Sequence, residues 1–184
     1  MSGERRVTHL TGGPERLETA RLVLTRPVAA DLPDLAALFG DPRVGWMGGE
    51  ATRVMFDRWV AHWTRSLWGM WVARDARTGE LAGRGGPELS LNAGEPCVEL
   101  GWVVAPQRWS EGLGTEIGRA SIDMVRDVLG VGEVVAKTLP DNHASRRVME
   151  KLGLRFEREL DHRGLPHVLY RGSTTPGPAA APGA

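Results

Sequence analysis

The chain has 184 residues, 41% of them hydrophobic and 25% charged, which suits one globular domain with a sizeable core. Its 23 basic and 23 acidic side chains cancel, which argues against nucleic acid or an anionic membrane as the main partner. Cys97 is the sole cysteine, so an intrachain disulfide and a cysteine-built metal cluster are excluded. No stretch is apolar for long enough to span a bilayer, and the polar start MSGERRVTHLTGG lacks the apolar core of a signal peptide. A soluble cytoplasmic protein is therefore expected.

Residues 1–16 read as a flexible lead-in and 172–184, rich in Gly, Pro and Ala, as a disordered tail, leaving a single domain over 17–171. Arg21 to Arg26 alternates like a strand and stops at Pro27. Asp31 is suited to cap a short helix carrying Leu35, Leu38 and Phe39, which Gly40 and Pro42 end. From Thr52, the recurrence of Met55, Trp59, Trp63 and Leu67 every four residues predicts a second helix with an apolar stripe. Met70 to Arg74 and Leu81 to Leu91 read as strands around a turn at Arg77 to Gly79. Gly83, Gly85, Gly86 and Pro87 loosen the second of these, as in a bulge or an edge strand.

Cys97 to Val104 is the next strand, followed by a helix with Leu113, Ile117, Ala120, Met124 and Val128 on one face. Glu133 to Thr138 reads as a strand, and Asp141 or Asn142 caps a helix that ends at Gly153. Leu154 to Leu160 and His167 to Tyr170 form a last strand pair around Arg163 and Gly164. The order predicts a mixed sheet with helices on its faces, and both strand-to-helix junctions are candidate sites.

The first junction is Trp102 to Glu116, WVVAPQRWSEGLGTE. A strand ending here and a helix starting here leave unpaired N–H groups at the helix N-terminus, which together with the helix dipole favour an anion. Gly112 and Gly114 let the backbone approach a phosphate. The segment has neither a P-loop Gly-Lys-Ser/Thr nor the three-glycine dinucleotide fingerprint. At the second junction, Asn142 and Ser145 are three residues apart and share roughly one helix face. Backbone donors at one strand end and Asn with Ser at its neighbour would line a cleft for a long ligand with a phosphate end and an amide arm.

Four blocks, Glu18 to Leu24, Val98 to Val104, Trp109 to Glu116 and Asn142 to Gly153, resemble in order and spacing the GNAT superfamily of acetyltransferases. They are most similar to its RimJ/RimL-type branch, which acetylates N-terminal amines of ribosomal proteins. The resemblance implies an α/β (α+β) GNAT fold: a mixed, mostly antiparallel central sheet, splayed at the acetyl-CoA cleft, with helices on both faces. It also implies that the pantetheine arm pairs with the backbone at Trp102, Val103 and Val104. The pyrophosphate would lie on the amides of Ser110, Glu111, Gly112, Leu113, Gly114 and Thr115, beside Trp109, with Asn142 on the pantetheine amide. In this branch the serine matching Ser145 is assigned to protonating the leaving thiolate. Other members use a tyrosine four residues on, where this chain has Met149.

Acetyl-CoA is an activated thioester, so attack by an amine needs positioning, a deprotonated nucleophile and a polarised carbonyl. Glu99, on the strand leading to the motif, is the candidate base, directly or through water; the alternative is a strand-end carboxylate paired with a cation. Ser145 has the alternative of bonding its own helix backbone. Arg147, with Arg146, can reach a 3′-phosphate or simply face solvent. Trp46 is the tryptophan chosen to line an acceptor site, whereas most of the others are expected in the core. Glu88 and Asp41 are weaker candidates for holding a cationic acceptor. The histidines show no metal-ligand spacing, so no metal is expected, and Cys97 reads as a small buried hydrophobe. The expected activity is N-acetylation of a primary amine (a protein N-terminus, an aminoglycoside-like or a metabolite amine) in a ternary complex, with a homodimer possible. The alternative is an acyl-CoA-binding or regulatory module without turnover.

Overall fold

Among residues 12–44, 49–162 and 164–175, which the computed structural model describes, eight strands and four α-helices follow one another. Strands β1 (Arg16–Glu18) and β2 (Leu22–Thr25) precede helices α1 (Leu32–Gly40) and α2 (Gly49–Ser66). Strands β3 (Trp71–Asp75), β4 (Leu81–Asn92) and β5 (Glu95–Val104) come next. Helix α3 (Leu113–Asp127), strand β6 (Glu133–Thr138) and helix α4 (His143–Lys151) lead to strands β7 (Arg155–His162) and β8 (Leu165–Ser173). None of these helices is long and apolar enough to cross a membrane.

The eight strands make one sheet in the order β1-β2-β3-β4-β5-β6-β8-β7. Every neighbouring pair is antiparallel except β5 with β6, which run parallel and meet at one register position, Glu99 opposite Val135. By contrast β4 and β5 stay paired from Asn92–Glu95 to Gly83–Val104. Past Glu99, then, β5 has a strand partner on one side only, and a cleft opens between it and β6.

Two cores lie on opposite faces of the sheet. The larger packs α3 and α4 through Leu113, Ile117, Met149 and Leu152 against Leu22, Leu24, Leu100 and Tyr170. The smaller packs α1 and α2 through Leu35, Phe39, Phe56 and Trp59 against Met70 and Val72. The helical stripe read from the sequence is divided between them. Trp59 serves the smaller core, while Trp63 joins the larger and donates its indole N–H to the Met70 carbonyl at 2.7 Å.

The mixed sheet with helices on both faces agrees with the sequence reading, with three differences. Strand β1 is additional: three residues carry too little alternation to be seen. Strand β4 is not an edge but the fourth of eight, and the bulge is in it: Ala73 pairs with Gly83 and Arg74 with Leu81, which leaves Ala82 of β4 as the extra residue. Its glycines serve close approach. A Cβ on Gly85 would come within 2.5 Å of Ile117 Cγ2 and 2.7 Å of the Gly101 carbonyl. Ordered structure also runs past residue 171, since β8 ends at Ser173 and the buried Thr174 donates its hydroxyl to the Val131 carbonyl at 2.7 Å.

Glu116, in the first turn of α3, ties the start of the chain to the sheet. It accepts from Thr19 Oγ1 at 2.6 Å, from the Arg21 amide at 2.8 Å and from Arg21 Nε at 2.7 Å. Burial alone would raise its pKa, but these hydrogen bonds and the Arg21 charge prevail and hold it below the ordinary 4.5.

A folded-state pKa below the unfolded one adds stability that is present above about pH 4.5 and is lost as the pH falls through the lowered value. Chemical denaturation from pH 7 to pH 3 will show this loss, and E116Q, less stable at pH 7, will show a smaller one. Gly85→Ala will destabilise the fold by about 1–3 kcal/mol in the same measurement, because both close neighbours are held in the sheet and core.

Candidate active site

The loop from β5 to α3 builds the first wall of the cleft. Pro106 opens a short 3-10 turn, Ser110 takes φ 66°, and Gly112, the N-cap of α3, takes φ 82°. The left-handed turns direct successive amides outward. No side chain caps the helix, and the N–H groups from Ser110 to Thr115 find no acceptor among the described residues. Trp109 stands half exposed beside them and donates its indole N–H to the Val104 carbonyl at 2.8 Å, fixing the loop to the strand end. Arg108 stiffens the same loop, bridging Asp75 at 3.0 Å and Glu111 at 2.8 Å. Unpaired amides at the positive end of a 15-residue helix make a site for a phosphate group.

The second wall is the start of α4. Asn142 caps it, its Oδ1 accepting from the Ser145 amide at 3.0 Å, which leaves the side-chain NH₂ to donate. Ser145 is half-buried, and its hydroxyl makes no hydrogen bond among the described residues, so it is not spent on its own helix. Met149, one turn on, is fully buried. Arg146 is committed to the Tyr170 hydroxyl at 3.1 Å and the Pro140 carbonyl at 3.0 Å, whereas Arg147 is exposed and makes no such bond among the described residues. Trp102, on β5, completes this side: its ring is 3.4 Å from where a Cβ on Gly114 would lie.

On the face turned to α1 and α2, charged groups gather where β5 and β6 part. Glu99 is ion-paired with Lys137 of β6, both side chains 14% exposed. Glu88 is its cross-strand partner on β4, so two carboxylates face each other. Burial, the largest influence, raises the Glu88 pKa; Arg84, Arg58 and Lys137 oppose that rise and Glu99 adds to it. Arg84, four residues before Glu88, is buried with Trp59 and Phe39 rings 4.7 and 5.7 Å from its guanidinium carbon.

The sequence-selected residues thus divide between the two sides. Trp102 to Val104, Trp109 to Thr115, Asn142, Ser145 and Arg147 surround the loop and α4 side; Glu99 belongs to the charged side. Trp46 lies outside the described residues. Asp41 is engaged by Arg43 at 2.7 Å, and Cys97 is half-buried rather than buried because β5 is open to solvent near its start. Sequence reading missed Arg84 and Lys137 and gave Glu88 little weight. The signal available was a charge set among the glycines of an otherwise apolar strand, at Arg84.

Residues 21–155 match the family model for the acetyltransferase (GNAT) domain. The chain is 30% identical over 138 residues to the YkkB protein of Bacillus subtilis, covering 72% of this chain and 80% of that one. An acetyltransferase crystal structure from Agrobacterium tumefaciens superposes with a TM-score of 0.76 at 25% identity, over 90% of this chain and 98% of that one. RimL, a ribosomal L7/L12 α-N-protein acetyltransferase solved with coenzyme A, has the same fold, with a TM-score of 0.68 at 19% identity over 84% and 95% of the two chains. The chain belongs to the GNAT acetyltransferases.

Proposed function

We propose that the protein transfers the acetyl group of acetyl-CoA to a primary amine by direct attack in a ternary complex. The observation that carries this is the parting of β5 and β6 after Glu99–Val135, with the unpaired amides of Ser110 to Thr115 at its mouth. The edge of residues 100–103, which has no strand partner on this side, supports strand-like pairing with a pantetheine arm, the loop amides suit a pyrophosphate, and the free NH₂ of Asn142 suits a pantetheine amide. Arg147, exposed and uncommitted, suits the 3′-phosphate. The thioester supplies an acyl group that needs no covalent enzyme intermediate.

The proton transfers fall to opposite sides of the sheet. Ser145, its hydroxyl unspent, donates to the departing thiolate, in keeping with a buried methionine at the alternative tyrosine position. Glu99, paired with Lys137, lies beside the path of the incoming ammonium, and Glu88, whose pKa is raised by burial, takes its proton. A protein N-terminus fits the likeness to RimL, and a small-molecule amine fits the same chemistry.

Release of free thiol from acetyl-CoA, measured against peptide N-termini, polyamines, aminoglycosides and amino acids, tests the reaction. Ser145→Ala will lower kcat by roughly 10- to 100-fold with the KM for acetyl-CoA nearly unchanged. Glu88→Gln will lower kcat/KM at neutral pH by about 100-fold, and it will remove the acid limb of the pH profile, whose midpoint in the native protein lies above the ordinary carboxylate range. Gly112→Val forces a branched side chain into a left-handed position and will weaken CoA binding, read as a smaller CoA-induced rise in Tm.

A further inference from the structure

We propose that the acceptor is an amine that also carries a carboxylate, an amino acid or a close relative, and that Arg84 receives that carboxylate. This rests on the acetyltransferase reading and names its substrate class. Arg84 is 8% exposed, yet it forms no ion pair among the described residues. Its one hydrogen bond there runs from Nη1 to the thioether sulfur of Met70 at 3.4 Å, and its buried Nε has no partner. More exposed arginines in the same fold are matched to acids: Arg74 to Asp31 and Asp34, Arg108 to Asp75 and Glu111. Burial lowers the Arg84 pKa to about 10, so the group stays charged at neutral pH. A buried guanidinium with an unfilled fork is costly on its own and matched in shape to a bidentate carboxylate.

The surroundings supply the other half of a zwitterion site. Along the same sheet face, Gly86 separates Arg84 from Glu88, and on the paired strand Gly101 separates Val103 from Glu99. These two central positions therefore carry no side chain of their own: Gly86 packs against the Gly69 carbonyl, Met70 and Trp71, while over Gly101 lies the flexible, unbranched end of Met70, where Arg84 Nη1 also arrives. Arg84 and Glu88 are two side-chain steps apart, about 13 Å along the strand, but Arg84 Nη1 reaches across to Gly101, which is one step, roughly 7 Å, from Glu99. That suits a molecule with its ammonium at Glu88 and Glu99 and its carboxylate a few bonds away at Arg84. Trp59 and Phe39 close over the guanidinium and exclude water that would weaken the pairing.

The test is thiol release with L-amino acids, their carboxamides, spermidine and an aminoglycoside, for the native protein, Arg84→Met and Arg84→Lys. Calorimetry of the amino acids with CoA-saturated protein runs beside it. The expected result is a KM at least tenfold lower for acids than for amides, abolished by R84M and only partly kept by R84K, which has the charge without the fork. R84M will keep the CoA-induced rise in Tm and will melt no lower than the native protein, whereas a purely structural arginine would lower it. If R84M does not fold, the native acid-to-amide ratio and R84K decide. Amides used as well as acids, turnover confined to spermidine or the aminoglycoside, or a preference that survives R84M would overturn the carboxylate site and leave the acetyltransferase reading standing. Amino-acid binding without turnover on any amine would overturn the transfer reading and keep the site; neither binding nor turnover overturns both.

Discussion

The meeting of β5 and β6 at a single pair is the constraint from which the site follows. Two half-sheets, β1 to β5 and β6 to β8, are each fully laddered within themselves and touch at Glu99 and Val135. The Glu99–Lys137 ion pair sits at that junction and fastens it on the α1 and α2 face. A ladder left unfinished in mid-sheet exposes backbone groups that an extended ligand can complete, while the remaining strands keep the edges of the gap rigid.

The two faces of the same opening have contrasting electrostatics. On the α3 and α4 face, the attraction for anions comes from backbone amides and a helix end, with Arg108 and Arg21 already paired to acids. On the α1 and α2 face, Arg84 is enclosed by the Trp59 and Phe39 rings and Glu99 and Lys137 are largely buried, where charges interact more strongly than they would in water. A thiolate can therefore leave toward one environment while an ammonium loses its proton in the other. The two sides meet where β5 and β6 part beyond Glu99 and Val135.

How much of this was legible in the sequence depended on range. The helices and most strands are local periodicities, and the β5 to α3 loop announces itself through Pro106, Gly112 and Gly114. Asn142 as a cap and Ser145 one turn in are also local, although only the structure frees the serine hydroxyl from its helix. What distant parts of the chain do to one another was not legible. That Glu99 meets Lys137 and faces Glu88 depends on strand register, and that Arg84 lacks an acid depends on what α1 and α2 bring over it. The glycines of β4 were rightly legible as the mark of a bulge, while the edge they also suggested is absent because β4 lies inside the sheet. Their purpose is close approach to Ile117 and the Gly101 carbonyl, which from the sequence alone looks like looseness.

The half-finished ladder also leaves a rhythm in the backbone of the free protein. Along β6 every residue from Glu133 to Thr138 pairs with β8, but alternate amides point the other way, toward the gap. Those turned to β8 are locked in a ladder and surrender their protons only when the half-sheet opens. Those turned to the gap beyond the Glu99–Val135 pair have no strand partner, as is the case for alternate amides of β5 beyond Glu99. Deuterium uptake will thus run fast and slow at every second residue on the two strands that flank the cleft, and saturation with CoA will smooth that alternation first along β5.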